Sequence, residues 1–400
     1  MLRGCFERKQ NICDGKTQMR IVAFYLPQYH RIKENDEWWG EGYTEWTNVR
    51  KGRKYFFWQK QPRIPLDDRY YDLDKQFNET MSWQISIAKK YGVYGFCFYH
   101  YWFEGGKKLL EKPVERFLMD NTLSMPFCLC WANESWTRTW NGSEKEIIMK
   151  QEYGDEQEWR KHFEYLMPFF KDERYIIIEN KPVLLIYRPE IIPNLSDMLC
   201  CWNNMAIENG LHGLYIVAQG SVYSAQQSKE KLIDSYILYE PGYTHMSAAH
   251  PSVRTIEMIR KAPLLFGEIV FQAAKVRISR ALGVQSFKCL SHIFDYDLFW
   301  KWIIKRRLPD SRCFLGAFVD WDNTARRKGK GARLFKGVTV EKFEHYFSSL
   351  VFKAKSESVH DIIFVNAWNE WGEGACLEPD EETGFGYLEA VRNAVLGVTE

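Results

Sequence analysis

Apolar positions along the chain fall into two alternating rhythms. Short, nearly continuous runs of β-branched and aromatic residues occur at Arg20–Leu26, Val93–Tyr99, Pro126–Trp131, Val183–Tyr187, Leu214–Gln219, Ser235–Tyr239, Cys313–Val319 and Asp361–Ala367. Runs of that length and continuity read as strands buried on both faces. Between them the apolar spacing changes to three and four. Leu73, Phe77, Met81, Ile85 and Ala88 lie between Asp72, a possible cap, and Gly92. Asp155 and Glu158 form a capping-box-like pair ahead of Trp159, Phe163, Leu166 and Phe170. Met198, Trp202 and Met205 precede Gly210, Phe343, Phe347, Leu350 and Val351 follow Thr339, and Gly384–Val395 closes the series as a last helix.

Strand alternating with helix eight times predicts a parallel sheet, and eight is the number that closes a (β/α)₈ TIM barrel. An open doubly wound sheet places a glycine-rich phosphate loop after its first strand, whereas this chain has Leu26-Pro27-Gln28-Tyr29-His30 there. Two connections are long: residues 27–72 form a loop, and residues 240–312 leave room for one or two helices. No repeat, low-complexity stretch or linker marks a domain boundary. The expected organisation is an N-terminal extension over 1–18 and a single α/β barrel over 19–400 with long βα loops.

Composition adds an aromatic excess. Of 400 residues, 16% are aromatic, and many of the sixteen tryptophans stand beside polar residues. Flat rings next to hydrogen-bonding groups suit sugars, although an aromatic-rich core gives the same count. The net charge of +2 provides no field for nucleic acid or an anionic membrane. The ten cysteines contain no CxxC pair, and Cys97, Cys128 and Cys130 lie in apolar runs as small hydrophobes. No apolar leader or stretch of about eighteen apolar residues is present, so no transmembrane segment is expected and a cytoplasmic location fits best.

Strand after strand breaks into polar and aromatic residues at its C-terminal end. Strand one yields Gln28, Tyr29 and His30; strand two His100, Tyr101 and Trp102; strand three Trp131, Asn133, Glu134 and Trp136. Strand seven yields Asp320, Trp321, Asp322 and Asn323, and strand eight Trp368, Asn369, Glu370, Trp371 and Glu373. In a barrel these ends converge on the face that carries the active site. Glu370 and Glu373 are the candidate catalytic pair, because glycosidic bond chemistry uses two carboxyl groups. Gly372 and Gly374 permit a tight backbone path, and Trp368 and Trp371 can exclude water and raise one carboxyl pKa. The same pair on an ordinary loop would be two solvated glutamates.

Glu134 divides evenly between substrate binding and a salt bridge to Arg138. Asp320, Asp322 and Asn323 suit hydroxyl binding or Asx-turn capping. His30 and His100 suit hydroxyl contacts better than metal ligation, since no HxH or HExxH spacing accompanies them. The basic run Arg326–Arg333 reads as a solvated loop before it reads as a phosphate or acidic-glycan contact. No metal or other cofactor is expected.

The segments Phe24–His30, Glu37–Gly40, Thr44–Val49, Gln61–Arg63, Trp131–Glu134, Trp321–Arg326 and Asn369–Gly374 together resemble the WbsX-like proteins of bacterial O-antigen and capsule (lipopolysaccharide) gene clusters, often labelled glycosyltransferases. Their domain is similar to glycoside hydrolase family 99, the endo-α-mannosidases. The resemblance runs from about Arg20 to the C-terminus and is weakest over 245–295. It implies a retaining barrel enzyme in which Glu370 deprotonates the substrate 2-hydroxyl, giving a 1,2-anhydro sugar, while Glu373 is the acid/base. The chain departs from the endomannosidases at Gly372, where they carry histidine. Substrate contacts are then expected from Tyr29, His30, Trp46, His100, Trp102, Trp131, Asn133, Glu134, Trp136, Asp322, Asn323, Trp368, Asn369 and Trp371. Three functions follow: a retaining hydrolase or transglycosidase acting on an oligosaccharide or polysaccharide, possibly lipid-linked; a glycosyltransferase with an activated sugar donor; and a glycan-binding barrel without turnover.

Overall fold

The computed structural model describes residues 18–137, 146–220, 232–247, 290–327 and 330–397. Apart from Gln18, the expected N-terminal extension lies outside these residues, as do Arg138 and 248–289. All eight predicted strands form, within a few residues of their expected ends: β1 Arg20–Tyr25, β2 Val93–Trp102, β3 Phe127–Trp131, β4 Lys181–Ile186, β5 Tyr215–Gly220, β6 Ser235–Leu238, β7 Phe314–Phe318 and β8 Ile362–Asn366. Each pairs in parallel with the next, and β1 pairs with both β2 and β8, which closes the sheet into a (β/α)₈ barrel. Closure leaves no unpaired edge among the eight.

The strands alternate as a barrel demands. Phe24 points inward to Tyr99, Tyr239 and Phe364, with ring centroids 5.2–5.7 Å apart. Its neighbour Tyr25 points outward, where its hydroxyl donates to Gln84 at 2.8 Å. That residue lies on the first outer helix, α1 Phe77–Lys90. The outer layer continues with α2 Lys112–Met119, α3 Glu156–Phe170, α4 Leu195–Glu208, α5 Tyr296–Lys305, α6 Val340–Glu357 and α7 Gly386–Leu396. The predicted cap at Asp155 is in place, and Thr339 supplies another. Asp155 accepts from the N–H groups of Gln157 and Glu158 at 3.0 and 3.3 Å, and Thr339 accepts from Lys342 at 3.3 Å. Such caps are worth about 1 kcal/mol each. Asp72 instead accepts from the N–H groups of Asp74 and Lys75, forming a turn ahead of α1.

The long connections differ from expectation in two respects, the first being that the loop over 27–72 holds the short helices Lys33–Trp39 and Trp46–Arg50. The stretch before β7 holds the short helix Gly242–Ser247 and α5, and it also holds the strand Leu290–Asp295. This strand pairs in parallel with Lys330–Lys336, which begins inside the run Arg326–Arg333 that reads in sequence as a solvated basic loop. Ala332 and Leu334 of that strand are buried and Arg333 is exposed, so the end of the basic run opens a half-buried strand.

Candidate active site

The turn after β8 builds the centre of the site. Asn369 and Glu370 pair in an antiparallel bridge with Ala375–Cys376, and the intervening Trp371–Glu373 makes one turn of 3₁₀ helix. Gly374 ends that turn at φ 68°, a left-handed conformation that favours glycine. The Asn369 amide accepts from Leu26 N–H at 2.8 Å and donates to Leu26 C=O at 3.0 Å, locking the ends of β8 and β1 together. The Tyr29 hydroxyl donates to Asn369 C=O at 2.6 Å and accepts from Trp371 N–H at 3.0 Å. Beneath the turn, buried Glu378 accepts from Trp371 Nε1 at 2.7 Å, Tyr71 Oη at 2.9 Å and Gln84 Nε2 at 2.5 Å. Burial pushes Glu378 up to about 7 against these three donors.

On this platform Glu370 and Glu373 share the two arms of one guanidinium. Arg326 Nη2 lies 3.0 Å from Glu370 Oε1, and Arg326 Nη1 lies 3.1 Å from Glu373 Oε1. A third carboxylate, Glu45 at the start of the short helix Trp46–Arg50, meets Arg326 Nη2 at 3.1 Å. The backbone N–H of Glu373 also donates to Glu370 Oε1 at 3.1 Å. Three carboxylates face one cation in a mostly buried cluster. Burial, then Glu373 and Glu45, outweigh Arg326 and push Glu370 up to about 8.

Gly372 has no side chain because there is no room for one. A Cβ there would stand 2.8 Å from Arg326 Nη2 and 2.9 Å from Glu45 Oε2.

Two cavities open around these carboxylates. One, of about 380 Å³, is lined by Glu370 and Glu373 with Gln28, Trp39, Tyr101 and Trp136. The other, of about 470 Å³, is reached across Glu373, which together with Tyr187, Tyr239 and Trp321 lines both. Glu370 lines the first alone.

Of the residues singled out in sequence, Glu370, Glu373, Glu134, Trp136, Gln28 and Tyr101 line the first cavity, Asn323 lines the second, and Glu373 and Trp321 line both. Glu134 is ion-paired with Arg188. Tyr29, Trp46, Trp368, Asn369 and Trp371 form the packed layer under the turn; Trp46 donates to Tyr71 C=O at 2.7 Å, and Trp368 packs on Phe96. Asp322 accepts from Gln59 at 2.7 Å and from the Thr324 hydroxyl at 2.6 Å, while its N–H donates to Glu373 C=O at 2.7 Å, so it holds the loop that delivers Arg326. Asn133 is bound at both ends to the Arg188 backbone at 2.8 Å.

Trp102, Trp131 and His100 belong to a buried aromatic stack outside both cavities. Trp102 lies flat on His162 at 4.6 Å, and His100 Nε2 is 2.8 Å from His162 Nε2. Burial pushes His100 down to about 3. His30 is also fully buried and stands apart from both cavities; burial pushes it down to about 4. Sequence reasoning missed Glu45 and Arg326 as site residues, and with them Tyr187 and Tyr239. Among the described residues, no group of three His, Cys, Asp or Glu side chains is arranged to hold a metal ion. No helix among them is long and apolar enough to cross a membrane.

The model of the family described as "Glycosyltransferase WbsX" matches residues 21–391. The chain belongs to the WbsX family. Two WxcX proteins of Xanthomonas campestris pv. campestris, from strains B100 and ATCC 33913, are 33% and 32% identical to it over 378 residues and 94% of this chain. The chain spans about half the length of these relatives, 49%. Among solved structures, a glycoside hydrolase-like protein superposes with a TM-score of 0.55 at 13% identity, covering 96% of both chains. A GH99 endo-α-mannosidase from Bacteroides thetaiotaomicron superposes with a TM-score of 0.54 at 12% identity, covering 94% of this chain and 96% of the other. At those identities the likeness is one of fold. The chain thus belongs to a family of carbohydrate-active enzymes, and its own barrel is GH99-like in fold.

Proposed function

We propose that this WbsX-family barrel breaks or exchanges glycosidic bonds in a bacterial surface polysaccharide or its precursor, by retaining chemistry with two glutamates. The observation that carries this reading is that Glu370 and Glu373 share Arg326 at the junction of two cavities. Glu370 takes the proton of the substrate 2-hydroxyl, O2 attacks C1, and the C1–O bond to the leaving group breaks as that oxygen takes a proton from Glu373. Water or an acceptor hydroxyl then gives its proton to Glu373 and opens the 1,2-anhydro sugar, while O2 recovers its proton from Glu370. A general base works best with a pKa near the working pH, and the raised pKa of Glu370 suits removal of a weakly acidic hydroxyl proton.

The test is mass spectrometry of products from bacterial oligosaccharides, with and without nucleotide sugars. Shortened or rearranged glycans without donor are expected, with Glu370→Gln and Glu373→Gln each lowering turnover by orders of magnitude. The family's description as a glycosyltransferase favours a second reading, donor-dependent transfer. Glycans lengthened only when a nucleotide sugar is present would establish it and displace the role given to Glu370.

A further inference from the structure

The larger cavity has a chemistry that two glutamates leave unused. Its walls are apolar and aromatic, with Tyr243, Met246, Phe294 and Phe335, while Arg188, Arg327 and Arg333 line it against Glu190 and Glu373. Arg188 is engaged by Glu134 and Glu190. Arg333 has no ion-pair partner among the described residues, and its backbone N–H is fixed by Asn323 Oδ1 at 2.8 Å. Arg327 ends the short helix Thr324–Arg327, and Arg333 stands on the strand that follows it, so one folded stretch carries both guanidiniums to one recess. Two guanidiniums lining one recess repel each other, and an oxyanion taken up by them offsets that cost with charge-assisted hydrogen bonds.

We infer that this cavity is a subsite for a sugar unit bearing an oxyanion, either a phosphate ester or a uronate carboxylate, held by Arg327 and Arg333 on the leaving-group side of the scissile bond. The side rests on the proposed role of Glu373: Glu370 lines only the other cavity, whereas the proton donor to the leaving group lines both. The preference for an anion rests on the arginines alone.

The test is equilibrium titration of the full chain with glucose 1-phosphate, methyl glucuronide and the neutral methyl glucoside. One or both anionic probes should bind at least about tenfold tighter than the neutral one, with Arg333→Gln removing about that factor. Added salt should weaken only the charged probes. Preference for the phosphate alone identifies a sugar phosphate, and preference for the glucuronide alone identifies an acidic glycan. Equal binding of all three probes, or anion binding untouched by both Arg327→Gln and Arg333→Gln, overturns the inference. Repeating the titration with Glu373→Gln separates the two proposals. Arginine-dependent anion binding without any turnover of glycans by the wild type leaves the subsite standing and removes the retaining mechanism. Turnover of neutral glycans without anion preference does the reverse.

Discussion

Glu370 concentrates the residue-scale argument. Its carboxyl is pushed up to about 8 chiefly by burial, with Glu373 and Glu45 adding to the effect and Arg326 opposing it. As a base it must be ionised while Glu373 is protonated, so the kcat/KM profile should carry one limb with its midpoint near 8. A profile without a limb in that range would remove Glu370 from the essential pair. Because Arg326 favours the ionised form, Arg326→Gln should move that limb to higher pH. Gly372 offers a second test: Gly372→Ala puts a methyl group 2.8 Å from Arg326 Nη2, forcing the guanidinium off its carboxylates. A loss of roughly a hundredfold in kcat/KM is expected from such a misplacement, with little change in melting temperature. The two glutamates were legible because they end an apolar run and are flanked by tryptophans and glycines. Arg326 was not. In sequence it is one cation in a run, and only the folded chain turns it toward Glu45, some 280 positions away, while Arg327 and Arg333 line the second cavity.

At the scale of elements, the long loop over 27–72 is held by one buried charge cluster. Arg63, 3% exposed in its side chain, is ion-paired with Asp320 at the end of β7, and its Nη1 lies 3.7 Å from Asp380 ahead of α7. Arg63→Met leaves two buried carboxylates without their cation, which should cost about 3–5 kcal/mol at neutral pH by chemical denaturation. Burial already raises the Asp320 pKa, and losing Arg63 raises it further. A carboxyl whose folded pKa lies above its unfolded one favours the fold at low pH and loses that contribution as pH rises through the folded value. The penalty of Arg63→Met should therefore be smallest in mild acid and grow toward neutrality; a pH-independent penalty would remove this account. Elements with a period and a cap, such as α3 and α6, were readable in sequence. The strand Lys330–Lys336 was not, because its buried positions alternate with arginine and lysine and its partner, Leu290–Asp295, follows a long insertion.

For the whole molecule, the barrel gathers onto its mouth charges that do not help it fold. Three carboxylates around Arg326 are retained in a region where Glu45 and Glu370 are nearly solvent-free. Folding has to overcome their mutual repulsion, and the rest of the barrel supplies the free energy to do so. Glu370 therefore belongs among groups that weaken the fold when ionised. Its folded pKa of about 8 exceeds the usual carboxylate value, so the stability contributed by its neutral form disappears as pH rises through that range. Glutamine keeps an oxygen to accept from Arg326 and from the Glu373 N–H, but it carries no charge at any pH. Glu370→Gln should thus melt close to the wild type at pH 5 and above it at pH 9, by a margin on the order of a few kcal/mol, in the same variant that loses turnover. Thermal melts across that range decide the matter. A variant advantage that grows with pH locates the cost of function in this cluster, whereas a constant or shrinking difference means that Arg326 already neutralises the three carboxylates and the barrel carries no such burden.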